Sequence, residues 1–322
     1  MTPPAQSAAA RPREIICDVE DYSDALLAGL KSQPKHIPCK FFYDAHGSHL
    51  FERICATPEY YPTRIELSLL HRHAGEFAAL IGPDAEILEF GAGAGEKIRP
   101  ILDALEHPRA YLPIDISGSY LRSIAARLRS EYPALEIEPV VADFTRELAM
   151  PVSSAARRVG FFPGSTIGNF EPEEARLFLQ QSAKLLKGGG LLVGVDLVKD
   201  PNVLHAAYND RAGVTAAFNK NLLVRANREA NANFDVERFA HYAFYNPLLR
   251  RIEVYLVSMA AQRVTICGRQ ISFAEGEAIH TEWSYKYTVE DFRALAASAG
   301  FTPRALWCDP NRLFSVHWLE SL

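Results

Sequence analysis

Short runs of apolar residues alternate with amphipathic stretches through the middle of the chain. The apolar runs cover 86–90, 110–115, 136–141, 159–163 and 190–196. Segments with apolar residues at helical spacing lie between them and cover about 97–106, about 118–130 and about 172–186. Short apolar runs are typical of buried strands, and apolar residues three or four positions apart are typical of helices. This alternation predicts an α/β fold with a doubly wound parallel sheet.

The segments before this region have a different character. Residues 65–83 carry apolar side chains at helical spacing and predict a long helix. Residues 14–64 are dense in aromatic residues, prolines and histidines and show no clear period. The first thirteen residues are rich in Ala, Pro and Ser, lack the apolar core of a signal peptide and predict a disordered tail.

A third pattern begins after Lys199-Asp200-Pro201. Helical spacing over 203–232 is followed by alternating segments that predict antiparallel strands at 239–245, 250–260 and 262–273. A further helix is predicted to begin near Thr288, and closing strands are predicted at 302–308 and 313–319. We therefore expect two domains. The α/β domain would comprise 65–199 and 287–322, and a second α+β domain would combine 14–64 with the insertion 200–286.

Composition narrows the functional classes. The chain has 322 residues, of which 48% are hydrophobic, and a net charge of −5, so a large core is expected and a nucleic-acid partner is not. No apolar run approaches the roughly 20 residues of a membrane span. The five cysteines form no C-x-x-C pair, which suits a reducing compartment. We expect a cytoplasmic protein without a membrane or nucleic-acid partner.

A glycine-rich turn follows the first strand of the α/β region. The stretch from Ile87 to Lys97 has the pattern E-x-G-x-G-x-G, with glycines at 91, 93 and 95. Glycine lets a ligand approach the backbone, and the helix behind such a turn offers free N–H groups. A dinucleotide-binding turn needs a third glycine where Glu96 stands, so a nicotinamide oxidoreductase is disfavoured. The pattern resembles the first motif of class I methyltransferases that use S-adenosylmethionine (SAM).

Two acidic residues at the ends of the next strands support a SAM site. Asp115 ends the second run and can accept both ribose hydroxyls, while Asp143-Phe144 ends the third and suits the adenine amino group and ring. Either aspartate alone could instead cap a helix. The predicted cofactor-binding residues are Gly91, Gly93, Lys97, Asp115, Asp143, Phe144 and Gly164.

The chain resembles the histidine Nα-methyltransferases of ergothioneine biosynthesis over roughly residues 38 to 320. The resemblance is carried by the strings F-F-Y-D-A-H-G-S-H-L-F from Phe41, P-E-Y-Y-P-T-R from Pro58, G-S-T-I-G-N from Gly164 and T-E-W-S-Y-K from Thr281. It implies a class I methyltransferase fold with a second domain. It also implies three successive methyl transfers from SAM to the α-amine of L-histidine, giving trimethylhistidine (hercynine).

The resemblance also implies roles for individual residues. Asn169 would hold the backbone of the amino-acid substrate, and Tyr60 and Tyr208 would donate hydroxyl hydrogens to its carboxylate. Tyr43 would lie beside the reacting nitrogen as the catalytic residue. Glu282 and Ser284 alternate on one strand, so they share a face, and would bind the imidazole. A carboxylate that accepts the imidazole N–H explains a preference for histidine.

One position departs from the family pattern. Val254 stands where a methionine lining the imidazole pocket is expected, so the pocket would be roomier. This keeps open a second substrate class, another aromatic amino acid or an indole derivative. A binding protein without activity is a further alternative, although the full set of site residues would then be a coincidence. We expect a monomer.

Metal and hydrolase chemistry lack support in the sequence. His46 and His49, and His71 and His73, are near neighbours, but no carboxylate or cysteine completes a set of metal ligands. Ser165 is not part of a G-x-S-x-G elbow. We expect SAM as the cofactor and no metal.

Overall fold

The computed structural model describes residues 15–16, 21–148, 150, 155 and 157–322. The predicted tail, 1–13, therefore lies outside the described residues. The α-helices of the described chain are α1 (Tyr22–Lys31), α2 (Ala45–Cys55), α3 (Tyr61–Ile81), α4 (Arg99–Ala104), α5 (Gly118–Glu131), α6 (Pro172–Leu185), α7 (Pro201–Tyr208), α8 (Val214–Glu229) and α9 (Val289–Ser298).

The strands fall into one large sheet, one smaller sheet and one hairpin. In chain order they are β1 (Ile15–Ile16), β2 (Lys35–His36), β3 (Ala85–Phe90), β4 (Ala110–Asp115), β5 (Glu136–Ile137), β6 (Val140–Val141), β7 (Arg157–Phe162), β8 (Gly190–Asp196), β9 (Phe239–Asn246), β10 (Arg251–Ser258), β11 (Gln262–Ile266), β12 (Arg269–Phe273), β13 (Ala278–Tyr285), β14 (Phe301–Cys308) and β15 (Phe314–Ser321).

The large sheet has the order β1-β6-β4-β3-β7-β8-β15-β14, with β5 paired to β4. The strands from β1 to β8 in this order are parallel, whereas β15 is antiparallel to both β8 and β14. The α/β fold with a doubly wound sheet is confirmed, and the two closing strands make the sheet mixed. Every residue of β3 and β8 is buried, as expected for strands covered on both faces.

The carboxyl ends of the parallel strands meet along one edge of this sheet. Phe90, Asp115, Val141, Phe162 and Asp196 end their strands there, next to the loops that carry the predicted cofactor residues. In open α/β sheets, ligands bind in the crevice outside this edge. The strand order places the glycine turn after β3 between the ends of β4 and β7.

The smaller sheet has the order β2-β13-β10-β9 and a core of its own. Its buried side chains pack with those of α1, α2 and α8, in a cluster that includes Leu26, Phe42, Phe218, Ile252 and Val254. This cluster joins chain segments before α3 to segments between β8 and α9. Strand β1, in contrast, lies at the edge of the large sheet, where Ile15 pairs with Val140.

Three elements differ from the sequence expectation for local reasons. The helical stretch 203–232 is two helices, because Gly213 adopts a left-handed φ of 69° and the Asp210 carboxylate accepts the N–H groups of Val214 and Thr215. The segment 262–273 is a hairpin that turns at Cys267 and Gly268, both with positive φ. The run 136–141 is two short strands rather than one.

The segment 14–64 contains helices that its sequence pattern did not predict. Helix α1 follows the capping residue Asp21, whose side chain accepts the N–H of Asp24, and α2 follows Asp44, which accepts the N–H of Gly47. Across the described chain, no helix combines the length and the apolar character needed to cross a membrane.

Candidate active site

The glycine turn after β3 adopts the left-handed conformation that the sequence predicted. Gly91, Gly93 and Gly95 have φ values of 76°, 49° and 68°. The N–H groups of Gly91 and Ala92 both donate to the Ile114 carbonyl at the end of β4, at 2.9 and 3.2 Å. The turn therefore lies against the neighbouring strand end with its backbone accessible, because glycine adopts positive φ without steric cost.

Asp115 lies beside this turn. Its carboxylate accepts the backbone N–H of Ser117 at 2.9 Å. Burial raises the pKa of Asp115, and nearby backbone amides, including that of Gly93, oppose the shift. The structure thus brings Gly91, Gly93 and Asp115 together, as a site for the ribose of SAM requires.

Phe144 and Asp143 lie on the other side of the turn. The Phe144 ring would be 3.6 Å from a Cβ placed on Gly91, so it borders the same crevice. The Asp143 carboxylate, however, accepts from Lys40 at 2.7 Å and from the Thr145 hydroxyl at 2.5 Å. Burial alone would raise the pKa of Asp143, but these bonds outweigh it and lower the pKa. Lys40 was not predicted as a site residue, because it lies 103 residues from Asp143 along the chain.

Gly164 and Lys97 share one buried partner, Glu66 of α3. The Glu66 carboxylate accepts the Gly164 N–H at 2.9 and 3.0 Å and pairs with the Lys97 ammonium at 2.7 Å. Glu66 is fully buried. Glu66 could have been noticed in the sequence, because it lies on the apolar face of α3 beside Ile65 and Leu69. A charge buried on such a face needs partners.

Asn169 is brought to the smaller sheet by the loop that begins at Gly164. It ends a short 3-10 helix, Thr166–Asn169, which packs on β13. A Cβ on Gly168 would lie 2.6 Å from the Tyr285 carbonyl oxygen, so only glycine permits this approach. The Asn169 side chain is half-buried, beside the strand that carries Glu282 and Ser284.

Three predicted tyrosines meet in one aromatic wall. The Tyr43 ring lies 5.7 Å from those of both Phe51 and Phe218, and Tyr60 lies 6.1 Å from Phe51 and 6.5 Å from Tyr208, measured between ring centroids. Burial raises the pKa values of Tyr43 and Tyr60 well above the ordinary value. Both phenols are therefore neutral and keep a hydrogen to donate.

Glu282 faces this wall from β13. It pairs with Val254 of β10, and residues paired across antiparallel strands point to the same face. Burial raises the pKa of Glu282 to about 7, while the Lys286 ammonium acts in the opposite direction. Burial is the main cause of the raised pKa values of Tyr43 and Tyr60, and the Glu282 charge raises both pKa values further.

Ser284 and Tyr208 are in direct contact. The Tyr208 hydroxyl lies 2.7 Å from Ser284 Oγ, and both oxygens accept from Lys286. Neither this lysine nor its partner Asp196 was predicted as a site residue. Lys286 follows two positions after Ser284, and its burial, at 3% exposure, distinguishes it from an ordinary surface lysine.

A cavity of about 520 Å³ reaches from Tyr43 to the loop after Asp115. Its lining includes Lys40, Tyr43, Ile116, Ser117 and Arg225. Tyr43 thus shares this cavity with Ile116 and Ser117, the two residues that follow Asp115. Within the described ranges, no three His, Cys, Asp or Glu side chains are grouped to hold a metal ion.

Comparison with known proteins agrees with this geometry. Residues 22–321 match a family model described as "Histidine-specific methyltransferase, SAM-dependent". The chain is 43% identical over 295 residues to the histidine N-alpha-methyltransferase of Mycolicibacterium smegmatis, covering 90% of this chain and 91% of that protein.

Two fungal proteins are similar at lower identity. Ergothioneine biosynthesis protein 1 of Neurospora crassa is 29% identical, over 90% of this chain and 33% of that protein. A 4-dimethylallyltryptophan N-methyltransferase of Epichloe festucae var. lolii is 26% identical, over 89% of this chain and 91% of that protein.

Proposed function

The chain belongs to the family of histidine-specific, SAM-dependent methyltransferases, and we propose that it methylates the α-amino group of L-histidine in ergothioneine biosynthesis. The observation that carries this proposal is the position of Glu282, a carboxylate that faces an aromatic pocket opposite Val254. A carboxylate there offers an acceptor for an imidazole N–H, and an indole or phenyl side chain satisfies it less well. Identity to the mycobacterial histidine enzyme, 43%, is also well above the 26% to the tryptophan-derivative enzyme.

The residues around the glycine turn fit SAM. Asp115 would accept the ribose hydroxyls, Gly91 and Gly93 would allow the backbone to approach, and Asp143 with Phe144 would contact the adenine. Gly164 and Lys97 would border the amino-acid end of the cofactor. When bound, SAM supplies a methyl group that its sulfonium centre makes strongly electrophilic.

The protein's main contribution to the reaction is orientation. Tyr60, Tyr208 and Asn169 would hold the carboxylate and amine of histidine, and Glu282 with Ser284 would hold its imidazole. Fixing both ends of the substrate aligns the neutral amine with the methyl group, and such alignment supplies up to about 7–11 kcal/mol in favourable cases. Tyr43, a neutral phenol, would relay the amine proton toward solvent.

The proposal includes three successive transfers that give trimethylhistidine (hercynine). A growing ammonium loses its N–H donors, so the pocket must accept it without direct hydrogen bonds. The rings of Tyr43, Phe51 and Phe218 support this step, since an aromatic face attracts a cation by about 0.5–2 kcal/mol.

The proposal also covers organisation and location. We assign SAM binding to 65–199 with 287–322, and substrate binding to 14–64 with 200–286, because the smaller sheet and its cluster carry most of the substrate residues. A monomer is part of the proposal. The cysteines among the described residues are free, which supports a cytoplasmic location.

Mass spectrometry of the purified protein with SAM and either L-histidine or L-tryptophan tests the function. We expect mono-, di- and trimethylhistidine in succession and little tryptophan product. Absence of histidine methylation, or a preference for tryptophan, would overturn the assignment.

A reciprocal pair of variants tests the two halves of the site by titration calorimetry. Glu282→Ala should weaken histidine binding at least tenfold and leave the affinity for S-adenosylhomocysteine within about twofold, since a charge-assisted hydrogen bond contributes about 1.5–3 kcal/mol. Asp115→Ala should do the reverse. Equal loss of both ligands in either variant would show that the residue is structural.

A further inference from the structure

Two buried lysines share the carboxylate of Asp196 at the end of β8. Lys199 Nζ lies 2.6 Å from Asp196 Oδ1, and Lys286 Nζ lies 2.9 Å from Asp196 Oδ2. Tyr61 also donates to this carboxylate at 2.8 Å. The lysines differ in their other contacts, because Lys199 donates to Tyr61 whereas Lys286 turns toward the substrate pocket.

Each hydrogen of the Lys286 ammonium has an acceptor. Besides Asp196, the ammonium donates to Tyr208 Oη at 3.1 Å and to Ser284 Oγ at 2.7 Å. Burial lowers the pKa of Lys286, but Asp196 outweighs burial and the pKa is raised above its ordinary value. Burial lowers the pKa of Lys199 to about 8. Both lysines pair with Asp196, but only the Lys286 ammonium contacts the hydroxyls of Tyr208 and Ser284.

This charge fixes the direction of the hydrogen bonds made by the two hydroxyls. A hydroxyl has one hydrogen to donate, and an ammonium has none of the lone pairs that could accept it. Tyr208 and Ser284 must therefore accept from Lys286. They contact each other at 2.7 Å, which uses one of their two hydrogens and leaves the other for a ligand. A ligand that replaces their mutual contact receives both.

We infer that Lys286 is a positioning residue that makes Tyr208 and Ser284 hydrogen-bond donors toward the substrate. The Ser284 hydroxyl then donates to an acceptor atom of the ring, while the Glu282 carboxylate accepts a ring N–H. The pocket consequently selects a neutral imidazole in one tautomer and disfavours rings that lack the second nitrogen. The inference rests on the proposed function, since it takes histidine as the ligand.

Lys199→Met is a matched control for Lys286→Met. Both variants remove one buried charge from Asp196, but only Lys286 touches the two hydroxyls. We expect Lys286→Met to raise the KM for histidine at least tenfold more than Lys199→Met does, with Kd for S-adenosylhomocysteine changed less than threefold. Equal effects of the two variants on histidine, or parallel loss of both ligands in Lys286→Met, would overturn the inference.

Substrate analogues give a second measurement that does not depend on the folding of a lysine variant. In 3-(pyrrol-2-yl)alanine and 3-(pyrrol-3-yl)alanine, C–H replaces one ring nitrogen of histidine and N–H stands at either position. The protein with its S-adenosylhomocysteine should bind histidine at least tenfold more tightly than both analogues. In Ser284→Ala this preference should shrink to about threefold or less, because the hydroxyl that donates to the ring nitrogen has been removed.

The two proposals fail differently in these experiments. Equal binding of histidine and a pyrrole analogue by the unaltered protein would overturn the donor assignment even if histidine is methylated. An unaltered protein that does not methylate histidine would instead overturn the proposed function. An unchanged preference in Ser284→Ala would also overturn the assignment of Lys286 through Ser284.

Discussion

The carboxylate of Glu66 occupies the space that Gly194 leaves by having no side chain. A Cβ on Gly194, in the middle of β8, would overlap Glu66 Oε1. The same carboxylate accepts the Gly164 N–H and pairs with Lys97. A glycine inside a fully buried strand therefore makes room for the charged group that holds two of the proposed cofactor-binding residues.

Gly194→Ala should destabilise the protein and weaken cofactor binding together. The added methyl group must displace Glu66 or bend β8, and overpacking of this kind costs about 1–3 kcal/mol. Displacement of Glu66 also frees the Gly164 N–H and the Lys97 ammonium. Denaturant unfolding and calorimetry with S-adenosylhomocysteine measure the two effects.

Gly75→Ala is the control for that substitution. Gly75 is an exposed residue of α3, and a Cβ there meets nothing within 4 Å. Alanine at this position should be neutral or stabilising by about 0.5–1 kcal/mol, because glycine is a poor helix former. If Gly194→Ala proved as well tolerated as Gly75→Ala, the packing argument for Glu66 would be wrong.

Glu282→Gln should increase stability at high pH, although it weakens substrate binding. The pKa of Glu282 rises from an ordinary value of 4.5 to about 7 through burial. Ionisation of Glu282 therefore costs stability progressively as the pH rises from 4.5 to 7. Glutamine avoids this cost, so we expect a gain of about 1–3 kcal/mol at pH 8.

The pH dependence separates this effect from a general packing change. At pH 4 both forms of Glu282, folded and unfolded, are largely protonated, so the gain from Glu282→Gln should disappear. Denaturant unfolding at pH 4, 6 and 8 gives the comparison. A gain that is the same at all three values would contradict a raised pKa as its cause.

Lys40→Met should destabilise the protein at neutral pH, because the Asp143 carboxylate loses the ammonium at 2.7 Å and keeps only the more distant Arg146 at 3.9 Å. The loss of a charged hydrogen bond costs about 1–3 kcal/mol. The pKa of Asp143 is lowered, so the stability from this pair is present above the ordinary aspartate pKa and is lost as the pH falls through the folded value. The difference between Lys40→Met and the unaltered protein should therefore shrink in acid.

Thermal unfolding across the acid range measures this effect, with Lys187→Met as a control. Lys187 is exposed, so its replacement should change stability by less than about 0.5 kcal/mol at any pH. A penalty for Lys40→Met that does not depend on pH would point to lost packing of the lysine stem instead of the ion pair.

Local patterns predicted the α/β region because its strands are buried on both faces and its turns need glycine. The run Ala110–Asp115 was predicted with the bounds that the structure shows. Gly91, Gly93 and Asp115 are near one another in the chain and in the fold, and their cofactor role stays a prediction. The ion pairs of Lys40 with Asp143 and of Glu66 with Lys97 could not be predicted in this way. The first pair is 103 positions apart and the second is 31 positions apart. Each charged residue, taken alone in the sequence, resembles an ordinary surface residue.

The substrate side depended on resemblance for the same reason. Tyr43, Tyr60, Tyr208 and Glu282 lie on α2, α3, α7 and β13 or next to them, and no single pattern links them. Helices α1 and α2 were missed because their apolar positions serve the separate core of the smaller sheet. Lys286 was missed because a single buried lysine has no periodic signature, and only its contacts with Tyr208 and Ser284 set it apart.

Val254→Met should make the pocket more selective for an unsubstituted imidazole. Val254 is buried, with 4% exposure, and stands directly opposite Glu282. Methionine is longer, so it would narrow the volume beside the ring. An apolar pocket distinguishes two substrates that differ by one methylene-sized group by about 1–3 kcal/mol. We expect the ratio of kcat/KM for histidine to that for ring-methylated histidine to rise at least tenfold in Val254→Met. Competition between the two substrates, followed by mass spectrometry, measures this ratio. Ala243→Val on the neighbouring strand β9 is the control for added volume in the same sheet. A ratio unchanged in Val254→Met would show that this residue does not line the imidazole pocket.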